Sequence, residues 1–220
     1  MKSSADGLCM RHRAEAARLA ALALRSFKEN NGHRANKIAA TPPRGEKVMD
    51  LGLQGKHAIV TGGSRGIGKA IARELAREGV DVAIVARNQA DLDATARELG
   101  AETNRRILPL AADVTSKEQV DRMVGEAARQ LGGVDILVNS GSAPGGSATA
   151  TGPIEAVVDE DLLEDFNVKY VGALRCSRAV IPLMKTAGWG RIINISGANA
   201  RNAGNLSGGA RNASLVHMTK

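Results

Sequence analysis

The run Thr61-Gly62-Gly63-Ser64-Arg65-Gly66-Ile67-Gly68 gathers residue types suited to holding an anion. Gly62 and Gly66 permit a turn with no Cβ between the backbone and an approaching phosphate, and Gly68 lets a helix pack close to a strand. Ser64 and Arg65 add a hydroxyl and a guanidinium. A helix starting near Ile67 would present free N–H groups and a partial positive charge. Placed between a strand and a helix, this glycine spacing is the fingerprint of a dinucleotide pyrophosphate site.

The end of the next strand bears on which dinucleotide. A site for NAD places an Asp or Glu there, about 20 residues on, to hold the ribose 2′-hydroxyl. Here the strand ends Val85-Ala86-Arg87, without a carboxylate. Arg65 and Arg87 offer planar guanidinium groups suited to a 2′-phosphate. NADP(H) is therefore the expected cofactor and NAD the less favoured one. The competing reading is that both are solvated surface arginines.

These residues need a scaffold, and the apolar pattern supplies one. Short apolar runs at 57–61, 82–86, 107–112, 134–139 and 191–196 alternate with helical patterns at 67–78, 91–99, 117–131 and 159–186, the last broken once. A Gly/Ser/Ala/Pro-rich loop covers 140–153, and a final helical stretch covers 210–220. Alternating strands and helices of this length predict an α/β, Rossmann-type doubly wound parallel sheet of about five strands. The final stretch has no glycine stop, so the sheet is expected to lack its last strands and to leave the fifth as an open edge. Self-association into a homo-oligomer follows as an expectation.

Composition bounds the rest. Only four residues are Phe, Trp or Tyr, while 25 are glycine. Of the formal net charge of +7, +6 lies in residues 1–48, so residues 49–220 are nearly neutral. A nucleic-acid partner, which needs a basic patch on the domain, is disfavoured. No apolar run reaches the ~18 residues of a membrane span. Cys9 and Cys176 lie far apart and suggest neither a metal site nor a disulfide, which fits a reducing, cytoplasmic setting. Residues 1–48 form a basic extension, with Arg11, Arg18 and Arg25 spaced by seven and Pro42-Pro43 in a polar linker. It is read as an upstream extension without function, with an organellar transit peptide as the alternative. Residues 49–220 are the dinucleotide-binding domain.

With these motifs in place, residues 51–220 resemble the short-chain dehydrogenase/reductase family. Thr61–Gly68 matches that family's form of the glycine fingerprint, and Asp113-Val114 resembles its adenine-contacting pair. Val134 to Ser142 resembles the strand that usually ends Asn-Asn-Ala-Gly, with only Asn139 kept; Gly190 to Ser196 resembles the strand that leads to the active site. The resemblance implies hydride transfer between a nicotinamide and a small-molecule carbonyl or alcohol. It also implies a Tyr acid/base, a Lys four residues later, a Ser that orients the substrate oxygen and an Asn in a proton relay.

This sequence departs from that set at each position. Gly197 occupies the Ser place, with Ser196 one residue early. Lys169-Tyr170-Val171-Gly172 occupies the Asn-x-x-Gly frame, with Asn167 two residues early. The Tyr and Lys places fall on Gly208 and Asn212, or in a second register on Ala210 and Ser214. The chain's one tyrosine is Tyr170. Ser196, Tyr170 and Lys169 remain as catalytic candidates, against a reading in which the chain binds cofactor as a sensor or partner subunit without turnover. His217 is read as a packing or surface residue.

Overall fold

The computed structural model describes residues 51–142, 146–202 and 204–220. The basic extension and Cys9 lie outside them. Five parallel strands, β1 (His57–Thr61), β2 (Asp81–Ala86), β3 (Ile107–Ala111), β4 (Ile136–Asn139) and β5 (Arg191–Asn194), form one sheet in the order β3-β2-β1-β4-β5. The helices are α1 (Gly66–Arg77), α2 (Gln89–Thr103), α3 (Lys117–Leu131), the single turn α4 (Ala148–Thr151), α5 (Asp159–Phe166), α6 (Gly172–Ala187) and α7 (Leu206–Met218). This is the expected Rossmann-type α/β fold. The order reverses between β1 and β4, which puts a crevice for ligands beyond the carboxyl ends of those strands.

Strand alternation builds two cores. Ala58 and Val60 of β1, Val82 and Ile84 of β2, and Ile136 and Val138 of β4 face α1 and α2, where Ile71, Leu75, Leu92 and Leu99 are buried. Ile59, Ala83, Val85 and Leu137 point the other way, onto Val120, Met123, Val180 and Met184 of α3 and α6. A sheet covered on both faces explains why its central strands are continuously apolar. Across the exits of β1, β4 and β5, the register aligns three polar residues, Thr61, Asn139 and Asn194.

At the opposite end of the sheet, Asp135 ties β1 to β4. Its carboxylate accepts from His57 N at 2.9 Å and lies 3.6 Å from Lys56 Nζ. Lys56 and Arg191 stack on Trp189, 4.4 and 4.6 Å from the ring centre.

Three expected boundaries shift. α7 begins at Leu206 rather than near 210, because Asn205 caps it by accepting from Gly208 N at 2.6 Å, and packing overrides the poor helix propensity of Gly208-Gly209. Within 140–153, the expected loop contains the turn α4. The break in 159–186 is a π-helical turn, Asn167–Val171, which joins α5 to α6 without ending the helix.

Candidate cofactor and active site

The β1–α1 turn is shaped by contacts that only backbone can make. Gly66 has φ +58°, and a Cβ there would project into open space rather than protein. A Cβ on Gly68 would fall on the carbonyl oxygen of Gly62, well inside contact distance. Thr95 Oγ1 donates to Ser64 O at 2.8 Å, and Gly63 N donates to Val85 O at 3.2 Å, so α2 and β2 hold the turn in place. Helices α2 and α3 are capped by the side chains of Asn88 and Ser116, but α1 has no side-chain cap and no acidic residue in its first turn. Its first N–H groups, behind Ile67, are available to an anion.

Arg65 and Arg87 follow the paired strands β1 and β2, so both stand at the same end of the sheet. Both are exposed, and among the described residues neither guanidinium has a carboxylate partner. Helix α1 is fixed against α2 by Lys69–Glu98 at 2.6 Å and by Arg73, which reaches Glu98 at 3.0 Å and Glu102 at 2.9 Å.

Asp113 Oδ1 accepts from Thr115 N at 2.9 Å and Thr115 Oγ1 at 2.8 Å, which shapes the β3–α3 turn. Val114 lies under Gly172, where a Cβ would come within 2.8 Å of Val114 Cγ2. Thr61 Oγ1 accepts from Ser140 N at 3.0 Å and Gly141 N at 3.1 Å, clamping the β4 exit to β1. Asn139 Nδ2 donates to Asn194 Oδ1 at 2.8 Å and to Ser177 Oγ at 3.3 Å, bracing the exit of β5.

Beyond β5 the chain is built on amides. Gly197 N donates to Asn212 Oδ1 at 2.9 Å, and Ser196 Oγ donates to Asn212 O at 3.2 Å. A Cβ on Gly197 would stand 2.8 Å from Asn212 Nδ2; one on Gly208 would meet Asn205 Oδ1 at 2.7 Å and Asn199 Nδ2 at 2.9 Å. Gly208 and Asn212 are buried, whereas Ala210 is exposed. The α7 face turned toward β5 is therefore the 208/212 register.

A buried ion pair joins α7 to α5. Asp165 Oδ2 accepts from Ser207 Oγ at 2.6 Å and lies 3.3 Å from Arg211 Nη1; Ser147 N donates to the carboxylate at 3.1 Å. Among the described residues, Arg211 Nε is buried with no hydrogen-bond partner. The half-buried Lys169 of the π-turn sits near this pair. Burial, helped by the positive charge of Arg211, pushes its ammonium down to about 8. Tyr170 rests its ring on Phe166, 4.9 Å between centres. Asn167 is turned to Arg175, whose Nη1 donates to its Oδ1 at 2.9 Å. Cys176 is buried, and loss of solvent pushes its thiol up to about 12, which leaves it unreactive.

The family model for short chain dehydrogenases matches residues 56–214. This chain belongs to the short-chain dehydrogenase family. It is 36% identical over 177 residues to an uncharacterized oxidoreductase of Mycobacterium tuberculosis, covering 79% of this chain and 65% of that one. A short chain dehydrogenase of Pseudocercospora fijiensis is 37% identical over 66% of this chain and 45% of its own length. The chain thus spans less than two thirds of these relatives. Among solved structures, L-sorbose reductase from Gluconobacter frateurii, complexed with NADPH and L-sorbose, superposes with TM-score 0.72 and 34% identity, over 77% of this chain and 64% of that one. NAD+-bound xylitol dehydrogenase superposes with TM-score 0.70 and 28% identity, over 76% and 63%.

In this chain the glycine turn of the family is in place, while the places that the resemblance gives to the family's Ser, Tyr and Lys carry other residues. Gly62, Ser64, Arg65, Gly66, Ile67 and Gly68 form one turn. Arg87, Asp113, Val114 and Asn139 end or follow the neighbouring strands β2, β3 and β4. Gly172 packs on Val114, and the family resemblance sets Lys169, three residues before it, in the place of the family's relay Asn. Of the three catalytic candidates, Ser196 is engaged with α7 and Tyr170 with Phe166, while Lys169 faces the Arg211 neighbourhood. Sequence reasoning missed the lock between Asn212 and Gly197 and the buried Asp165–Arg211–Ser207 group. The available signal was Ser207, Arg211 and Asn212 recurring at helical spacing beside Leu215.

Proposed function

We propose that this chain binds NADP(H) at the carboxyl ends of β1, β2 and β4 and works as an oxidoreductase on a small-molecule carbonyl or alcohol. The carrying observation is the β1–α1 turn: open space at Gly66, an uncapped α1, and Arg65 and Arg87 exposed at adjoining strand ends, neither with a carboxylate partner among the described residues. These features fit a dinucleotide with a 2′-phosphate. The α1 N–H groups and Ser64 would hold the pyrophosphate, Arg65 and Arg87 the 2′-phosphate, and Asp113 and Val114 the adenine side. When bound, the nicotinamide supplies or accepts hydride. The near-neutral charge of residues 49–220 favours a small molecule over nucleic acid as partner.

A second reading, binding without turnover, is favoured by one observation. By the family resemblance the Tyr and Lys places fall on Gly208 and Asn212, or in the second register on Ala210 and Ser214, and neither pair can exchange the proton. Fluorescence titration with NADPH and NADH should show a preference for NADPH that shrinks about tenfold or more in Arg87→Ala, as expected for a lost charge-assisted contact. Equal affinity for both cofactors in the wild type would overturn the cofactor assignment. A carbonyl screen with NADPH separates the two functional readings. Turnover abolished by Tyr170→Phe or Ser196→Ala, with folding intact, would name a relocated group. No turnover across the screen would favour the binding-only reading.

A further inference from the structure

Three charged side chains meet where α5, the π-turn and α7 pack together: Asp165, Lys169 and Arg211. Asp165 and Arg211 are each 5% exposed. One carboxylate stands against two cations, so the group holds an excess positive charge away from water. The carboxylate is already engaged: it accepts from Ser147 N and Ser207 Oγ and faces Arg211 Nη1 at 3.3 Å. Among the described residues, Arg211 Nε is buried without a hydrogen-bond partner, and no carboxylate is paired with Lys169.

Buried donors are paired in folded proteins, and a buried charge is costly unless another balances it. Both shortfalls fall on this group and have one remedy, an anion. We propose that Arg211 and Lys169 form a subsite for an acid group, a carboxylate or a phosphate, carried by the substrate. An oxygen of that group would accept from Arg211 Nε, and its charge would balance the two cations. The inference rests on the small-molecule oxidoreductase reading above and narrows its substrate to one that bears an acid.

The place suits a substrate. Asn212, next to Arg211, is held by Gly197 beyond the exit of β5. Gly146, in the segment that follows β4, lies over the ion pair; a Cβ there would stand 2.9 Å from Arg211 Nη2 and 2.5 Å from Asp165 Oδ2. The two cations therefore belong to the β4 and β5 side of the crevice, whereas Arg65 and Arg87 follow β1 and β2. Lys169 is only half-buried, so the group opens to solvent on its side.

Calorimetric titration of the full chain at low salt, with and without saturating NADP+, tests this with three probes: levulinate, a ketone bearing a carboxylate; inorganic phosphate; and neutral 2-pentanone. Levulinate or phosphate should bind about tenfold or more tighter than 2-pentanone, and the tighter of the two names the acid. Lys169→Met should weaken acid binding about tenfold without affecting 2-pentanone, and Lys169→Arg should restore it. Removing Arg211 alone would leave Asp165 buried without its cation. Arg211 is therefore tested in the double variant Asp165→Asn/Arg211→Gln, which removes both charges and should also lose about tenfold. No preference for the acids over 2-pentanone would overturn the proposal. So would acid binding that is unaltered in Lys169→Met, the result expected if the acid sits at the β1–α1 turn and is displaced by NADP+. Failure of the wild type to bind NADP+ strikes the cofactor reading instead, and the cofactor-free titrations read the acid subsite independently.

Discussion

The β1–α1 turn and the β5–α7 junction both depend on glycine, for different reasons. At the first, the obstacle to a side chain at Gly68 is the backbone of Gly62, which cannot move without dismantling the turn. At the second, the obstacles are the ends of side chains: Asn212 beside Gly197, and Asn199 and Asn205 beside Gly208. A backbone obstacle fixes a residue type, whereas a side-chain obstacle can be exchanged together with its partner. One end of the crevice therefore keeps its architecture, while the other has been refitted with amides in place of a titrating set.

The largest expected effect tests the rigid end. Gly68→Ala forces a methyl onto the Gly62 carbonyl, an overpacking that costs about 1–3 kcal/mol and distorts the anion-binding turn. Thermal melting should fall by several degrees and NADPH titration should lose saturable binding. Unchanged affinity would show that the turn has more give than its contacts imply.

The refitted end carries a charge held at a cost. Lys169 is protonated in both folded and unfolded chains below about pH 8, and there the folded form bears the burial penalty. Between about 8 and the ordinary lysine range, the folded form releases the proton first, so stability should rise with pH across that window. Lys169→Met should flatten this rise. At neutral pH it should also raise the melting temperature by about 2–4 °C, for about 1 kcal/mol after allowance for solvent screening of a half-exposed group. A melting temperature that falls instead would mean that the ammonium has a compensating partner.

The smallest effect is expected at Gly208→Ala. The atoms nearest the added methyl are the ends of two movable side chains, Asn199 and the capping Asn205, and the disturbance of that cap offsets the helix preference for Ala over Gly of about 1 kcal/mol. Stability should change little or rise slightly, with cofactor affinity unaffected. A collapse like that of Gly68→Ala would erase the distinction between the two ends.

How much of this could be read in advance follows the same division. Strands β1 to β4 and helices α1 to α3 are legible because burial on two faces and the 3.6-residue period write themselves into consecutive residues. The phosphate turn is legible because its constraints are local. The π-turn is not: nothing in consecutive residues sets it apart from the α-helix on either side, and Asn167 and Lys169, two residues apart, both fall within it. The pairing of Gly197 with Asn212 is equally silent, since it joins a strand exit to the second turn of a helix, 15 residues on. The start of α7 is hidden because Gly208-Gly209 reads as a break until the Asn205 cap is seen.

Trp189, the chain's single tryptophan, stands between Lys56 and Arg191 at the amino end of the sheet, opposite the crevice. Its indole emission is therefore an optical gauge of whether β5 is docked beside β4. Two cations against the ring give it an environment that vanishes when that edge comes apart. Each variant above can be melted while watching one intrinsic chromophore, without a label. A ligand-induced signal from the nicotinamide arises at the other end of the strands, so assembly and occupancy can be recorded as separate colours in the same cuvette.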